Sequence, residues 1–277
     1  LPIGLYVNTL SSLATLGRFW VCFANLFMIG QDTFMFLRVP VEGGSFQFTS
    51  NFAFAQFPAY KLLLIPQAWS LGVELWFYLL APLLAAQRTK VLVLILVISI
   101  ILRGALIRFL NYSFDPWTYR FFPSELALFV LGMLGCRAYF HFKDVLRPWW
   151  GAVAWVVLIG LFFYFPYWGA NSLCKHWLFL VLAALTLPFV FNWTKRKAID
   201  RMIGDFSYPL YISHLLVVQV VALRFPAIYR AYPGPIVCLC SLLVSAFLYL
   251  CVDKPVDRVR HRMLNVFKTS RCSVEAI

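Results

Sequence analysis

The stretch Val91-Leu-Val-Leu-Ile-Leu-Val-Ile-Ser-Ile-Ile-Leu-Arg103-Gly-Ala-Leu-Ile-Arg108-Phe-Leu110 decides the fold. Twenty residues at about 1.5 Å each make about 30 Å of helix, the depth of a bilayer's hydrocarbon core. The apolar run is too long and too continuous for an alternating barrel strand. Working outward along the 277 residues, the same pattern recurs at about 6–29, 68–86, 122–139, 149–168, 176–193, 205–223 and 235–252. Composition agrees, with 62% hydrophobic residues, 13% charged and a mean hydropathy of +0.80. Soluble domains run about 45–50% apolar and about 25% charged. A water-soluble globule would lack the polar surface it needs, and a disordered chain would need far lower hydrophobicity. The fold class expected is all-α, a polytopic transmembrane helix bundle of about eight spans, read as one transmembrane domain over 1–277.

The net charge of +13 could suggest nucleic acid, but the basic residues recur in short clusters between apolar stretches, which is a topology signal. No nucleic-acid partner is expected. Fifteen of the 24 Lys and Arg fall in one set of connections, after the spans ending near 86, 139, 193 and 252, and six in the other. Arg18, Arg103 and Arg108 lie inside spans. The excess puts the first set, and both ends of the chain, in the cytoplasm. The basic tail over 254–277 is expected to lie against anionic headgroups. The opposite connection over 30–66 carries Phe46, Phe48, Phe52, Phe54 and Phe57. It reads either as an aromatic interfacial anchor or as a lid over a site. The start, Leu1-Pro2-Ile3-Gly4, shows no signal-peptide pattern. Seven scattered cysteines give neither a disulfide framework nor a zinc signature, and no metal is expected.

Polar residues inside spans carry the functional information, because each is costly there and faces the protein interior. In Trp69-Ser70-Leu-Gly-Val-Glu74, Ser70 and Glu74 are four apart and share a helix face. Trp69 is placed for the outer interface. Glu74 suits proton transfer, or equally a hydrogen-bonded lock between helices. In Gly204-Asp205-Phe-Ser207-Tyr208-Pro-Leu-Tyr211-Ile-Ser-His214, Asp205 reads as a helix N-cap or first-turn acid. Ser207, Tyr211 and His214 make one polar stripe, lining a cavity or satisfied within a core. Arg120-Phe-Phe-Pro-Ser-Glu125 puts Glu125 in a first helical turn, either as a capping charge or aimed inward. Arg103, about 18 Å from the cytoplasmic end of its helix, needs a carboxylate, with Glu74 or Glu125 as the possible partners.

Gln67-Ala-Trp-Ser-Leu-Gly-Val-Glu74-Leu-Trp-Phe-Tyr78 resembles the Trp-Ser-Leu-x-x-Glu-x-x-Phe-Tyr motif of the acyltransferase-3 family of membrane O-acyltransferases. Gly204 to His214 is similar to that family's Gly-x-x-Ser-Tyr-x-Leu-Tyr-x-x-His segment. Val252-Asp253-Lys-Pro255 resembles its acidic-x-Pro signature, and Arg120 to Gly132 its Arg-Phe … Phe-x-x-Gly region. The resemblance implies transfer of an acyl group, usually acetyl, from acetyl-CoA or another acyl-CoA to a carbohydrate hydroxyl of an envelope or exported glycan. The implied partners are acyl-CoA, a carbohydrate acceptor and membrane lipid, with no permanently bound cofactor. It also implies Glu74 and His214 as catalytic groups that orient a base or relay protons. Trp69, Ser70, Arg120, Glu125, Ser207, Tyr208 and Tyr211 would line the substrate cavity.

Family members carry ten spans, a catalytic His in the first, and an Arg-x-x-Arg motif before the third. Leu1 to Tyr6 looks like the tail of that segment, so a partial sequence or a shortened member is expected. The competing readings are an inactive partner subunit and a transporter, although transporters tend to show paired repeats that are not evident here. Compact loops without a disulfide framework suit a bacterial inner membrane.

Overall fold

The computed structural model describes residues 3–167 and 172–260. In chain order the helices are α1 Ile3–Ser12, α2 Thr15–Phe27, α3 Trp69–Ala85, α4 Thr89–Leu110, α5 Phe122–Phe142, α6 Pro148–Tyr164, α7 Ser172–Thr194, α8 Ala198–Arg224, α9 Pro226–Ala231 and α10 Pro233–Leu248. A short hairpin, β1 Leu37–Arg38 against β2 Gln47–Phe48, is the strand structure among the described residues. Seven of the helices, α3 to α8 and α10, are long and apolar enough to cross a membrane. Their outer faces expose large side chains such as Leu79, Leu83, Ile98, Ile101 and Val156. In water that surface would drive aggregation, whereas lipid tails are its natural solvent. The expected basic tail is described as far as Arg260, while Arg262, Lys268 and Arg271 lie outside the described residues.

The expected span at 6–29 takes a different form. The chain there makes α1 and α2, each too short to cross. The hydroxyls of Ser11 and Ser12 donate back to the carbonyls of Asn8 and Thr9, competing with the helical ladder. At Leu13 the chain leaves the helix and pairs with a distant segment. Gly44 N–H donates to Ser12 O at 2.8 Å, and Ala14 N–H donates to Gly44 O at 2.9 Å. Gly43 makes this approach possible: its φ is +77°, and a Cβ there would lie 2.5 Å from the Ser12 carbonyl. Apolarity alone marks 6–29 as a span, because the bonds that interrupt it come from residues thirty positions away.

The 30–66 segment folds onto α1 and α2 around a core of its own that includes Val21, Ala24, Phe34 and Leu62. Asn25 pins it, donating to Leu62 O at 3.0 Å and accepting from Leu64 N–H at 2.7 Å. Its phenylalanines divide. Phe46 turns inward onto Trp20 and Phe34, Phe52 packs on Tyr60, the largely exposed Phe48 meets Trp117 edge-on, and Phe54 faces out. The segment is therefore a folded cap, with only some of its rings free to anchor at an interface.

The chain divides into two compact units, Leu1–Thr194 and Lys195–Ile277. In the first, α4 packs on α5, α6 on α7, and α5 on both α3 and α7. Phe77 of α3 stacks on Phe129 of α5 with centroids 4.4 Å apart. Arg137 of α5 closes the far end of α3, donating to the carbonyls of Ala85 at 3.0 Å and Gln87 at 2.6 Å. In the second unit, α8 packs on α10, and Ser245 donates to Phe206 O at 2.9 Å. Helix α8 begins at Ala198 with Asp200 in its first turn, so Asp205 is not the cap expected for it. Gly204 weakens the helix locally by about 1 kcal/mol, and propagation from the preceding turn absorbs that cost. Asp205 instead accepts from the Tyr249 hydroxyl at 3.1 Å.

Candidate active site

The first unit gathers its polar residues where α3 and α5 begin. A 3₁₀ turn, Pro66–Ala68, delivers Trp69 as the first residue of α3. The α4–α5 connection supplies Tyr119 and Arg120. The Arg120 guanidinium lies 4.3 Å from the centroid of the Trp69 ring, and Tyr119 lies 5.0 Å from the same ring. Arg120 Nε donates to both Asp115 oxygens, at 2.7 and 2.9 Å. This bifurcated bond holds the guanidinium beside the indole. Trp117 fastens the connection to the cap by donating to Ser50 O at 2.8 Å. Two residues chosen from separate motifs, Trp69 and Arg120, thus meet in direct contact.

Behind this wall, Arg103 of α4 pairs with Glu125 of α5, and both side chains are buried. Of the two carboxylates considered for Arg103, Glu125 is the partner. The first turn of α5 also holds Glu125, so its capping and inward-facing readings apply together. Ser99 of α4 sets the register. Its hydroxyl donates to Pro123 O at 2.6 Å and accepts from Ala127 N–H at 3.0 Å, standing between two groups that would otherwise bond directly. The Trp177 ring lies 4.9 Å from the Arg103 guanidinium, and Arg103 Nε is buried without a hydrogen-bond partner. The pair opens into a cavity of about 1000 Å³ whose other walls include Tyr119, Leu128, Phe163, Trp177 and Phe179. It combines an apolar sleeve with one fixed cation and one fixed anion.

Glu74 sits half-buried in the second turn of α3, one turn beyond the partly buried Ser70. The Tyr78 hydroxyl donates to it at 3.4 Å. A carboxylate that sequence reasoning passed over lies nearby. Asp32, in the 3₁₀ turn Gln31–Phe36, is buried and packs against the face of α3 that carries Gly72. Burial pushes its carboxyl above the ordinary carboxylate range, partly opposed by the amides of Asp32 and Thr33 and by the indole N–H of Trp76. Its Oδ1 has no hydrogen-bond partner. The signal available in the sequence was an acid in an aromatic-rich connection, and that pattern alone reads as surface.

In the second unit, Ser207 donates to Gly204 O at 2.7 Å, and His214 Nδ1 lies 2.6 Å from Tyr211 O. A carbonyl can only accept, so Nδ1–H is the donor in this contact. Tyr208 is half exposed, and the buried face of α8 is Pro209, Ser213, Val217 and Val221. The Ser207–Tyr211–His214 stripe is thus a separate face from the one packed on α10. Glu74 belongs to the first unit and His214 to the second. Among the described residues no cluster of three or more His, Cys, Asp or Glu could hold a metal ion.

Seven helices among the described residues that are long and apolar enough to cross a membrane, with a buried ion pair between α4 and α5, define a polytopic membrane protein. Residues 9–251 match the acyltransferase-3 family, described as an acyltransferase domain, and the chain belongs to that family. It is an integral membrane acyltransferase. No curated protein and no solved structure matches it.

Proposed function

We propose that this protein is an O-acyltransferase of a bacterial inner membrane that moves an acetyl or similar acyl group from acyl-CoA to a hydroxyl of an envelope or exported glycan. The observation that carries the proposal is the cavity of about 1000 Å³ bearing the Arg103–Glu125 pair, with Tyr119 of its wall packed against the family-motif residue Trp69. In the reaction the hydroxyl oxygen attacks the thioester carbonyl carbon, and its proton passes to a base. The C–S bond breaks, and the CoA thiolate leaves and takes up a proton. The apolar sleeve suits the acyl and pantetheine portion of the donor. Arg103, oriented by Glu125, supplies N–H donors for the developing oxyanion. Glu74 and His214 handle or relay the proton, a role supported by the motif resemblance. The motif resemblance assigns substrate-lining roles to Ser70, Ser207, Tyr208, Tyr211 and Arg120.

Membranes containing the protein expressed from its full reading frame are incubated with radiolabelled acetyl-CoA. The expected result is labelled glycan in wild type and loss of label in Glu74→Gln and His214→Ala at equal protein level. Unchanged label in both variants removes them from the site. Absence of labelled glycan in wild type overturns the reaction itself.

A further inference from the structure

A second cavity of about 500 Å³ lies on the other side of the wall, reached from Arg120 where the first is reached from Tyr119. We propose that it is the binding pocket for a neutral pyranose ring of the acceptor, with Asp32 and Arg120 as its specificity-determining residues. This rests on the acyl-transfer reading above and gives that reaction's acceptor its place.

Three indoles from separate segments, Trp20 of α2, Trp76 of α3 and Trp117 of the α4–α5 connection, line the cavity together with Phe48 of the cap. Flat aromatic faces with a negative quadrupole complement the weakly positive C–H faces of a sugar ring. The volume falls in the range of small-ligand sites. Its charged lining residues are one anion and one cation, each already held. Arg120 is fixed by Asp115 and Trp69. Asp32 lines the cavity while only 6% exposed, with its Oδ1 closed off against Gly72.

The charges discriminate among ligand classes. An organic cation would meet Arg120, a phosphate would meet Asp32, and a purely apolar chain would leave both charges without polar company in a low-dielectric site. A neutral polyol satisfies both, because its hydroxyls donate to the carboxylate and accept from the guanidinium. The partition between the two cavities is thin. Tyr119 and Arg120 are adjacent in sequence, and Trp69 packs against both. A ring held by Asp32 and Arg120 would therefore present its hydroxyls toward the compartment of the Arg103–Glu125 pair.

The full-length protein in lipid nanodiscs is examined by saturation-transfer NMR with methyl glycosides of glucose, mannose, galactose and N-acetylglucosamine, and with choline and inorganic phosphate as charged probes. The expected result is saturable binding of at least one glycoside, weakened tenfold or more in Asp32→Asn and at least threefold in Phe48→Ala. Phe48→Ala changes an exposed ring and keeps the test valid should Asp32→Asn fold poorly. In the transfer assay, Asp32→Asn should raise KM for the glycan acceptor more than it raises KM for acyl-CoA. Binding of choline or phosphate in place of every glycoside overturns the pocket, and so does an acceptor KM that neither variant moves. Glycoside binding that is lost in the variants, in a protein that transfers no acyl group, upholds the pocket and overturns the reaction.

Discussion

Arg103 and Glu125 hold each other at a depth where neither could be left alone. An unpaired buried charge costs several kcal/mol, while an apolar replacement of both partners is often neutral. Arg103→Met should therefore destabilise the protein by about 3–5 kcal/mol, and Arg103→Met combined with Glu125→Leu should recover most of that loss. Thermal unfolding of the purified variants measures both. Asp32 makes a different prediction. Its folded-state carboxyl binds its proton more tightly than the unfolded chain does, because burial disfavours the charge. The stability it contributes is present below the ordinary carboxylate range and is lost as pH rises through the elevated folded value. The melting temperature of wild type relative to Asp32→Asn should thus fall from acidic toward neutral pH. A difference that is flat with pH, or that rises, would contradict the burial argument. The need of Arg103 for a carboxylate was legible because a charge stands out in an apolar helix. Asp32 was not, since its burial is created by Gly72 and Trp76, some forty residues away.

At the scale of elements, seven spans follow from apolar length alone, and their observed ends lie within a few residues of the expected ones, except that α8 starts seven residues early and the last span runs on through a π-helical turn, Tyr249–Asp253, to Arg260, eight residues past its expected end. How the helices touch depends on particular residues. Gly151 of α6 admits Trp193 and Phe189 of α7 so closely that a Cβ there would lie 2.2 Å from Trp193 Cβ and 2.5 Å from Phe189 O. Backbone cannot yield as a side-chain tip does, so Gly151→Ala should part the two helices at a cost of about 1–3 kcal/mol. Gly104 of α4 faces open space. Gly104→Ala should be neutral, or stabilising by up to about 1 kcal/mol through helix propensity. Chemical or thermal unfolding of the pair gives the comparison, and equal effects would refute the close-approach argument. The broken first span belongs to this scale as well, because the Ser12–Gly44 and Ala14–Gly44 bonds are tertiary and leave no periodic trace.

For the whole molecule, the basic connections lead us to expect the 30–66 cap outside and the α5–α6 turn inside. A cysteine at exposed Glu42 should react with an impermeant maleimide in intact cells, and one at exposed Lys143 only after permeabilisation. The reverse pattern would invert the orientation. The sequence by itself determined the membrane class, the positions of seven crossing helices and the family, because hydrocarbon rejects polar backbone and charge so strongly that long apolar runs leave few alternatives. Tertiary structure decided which groups meet: that Arg103 takes Glu125, that Trp69 lies against Arg120, and that an aromatic cavity closes around Asp32. Those outcomes turn on helix rotation and loop packing worth a few kcal/mol each, and in lipid no amphipathic stripe records them in the chain.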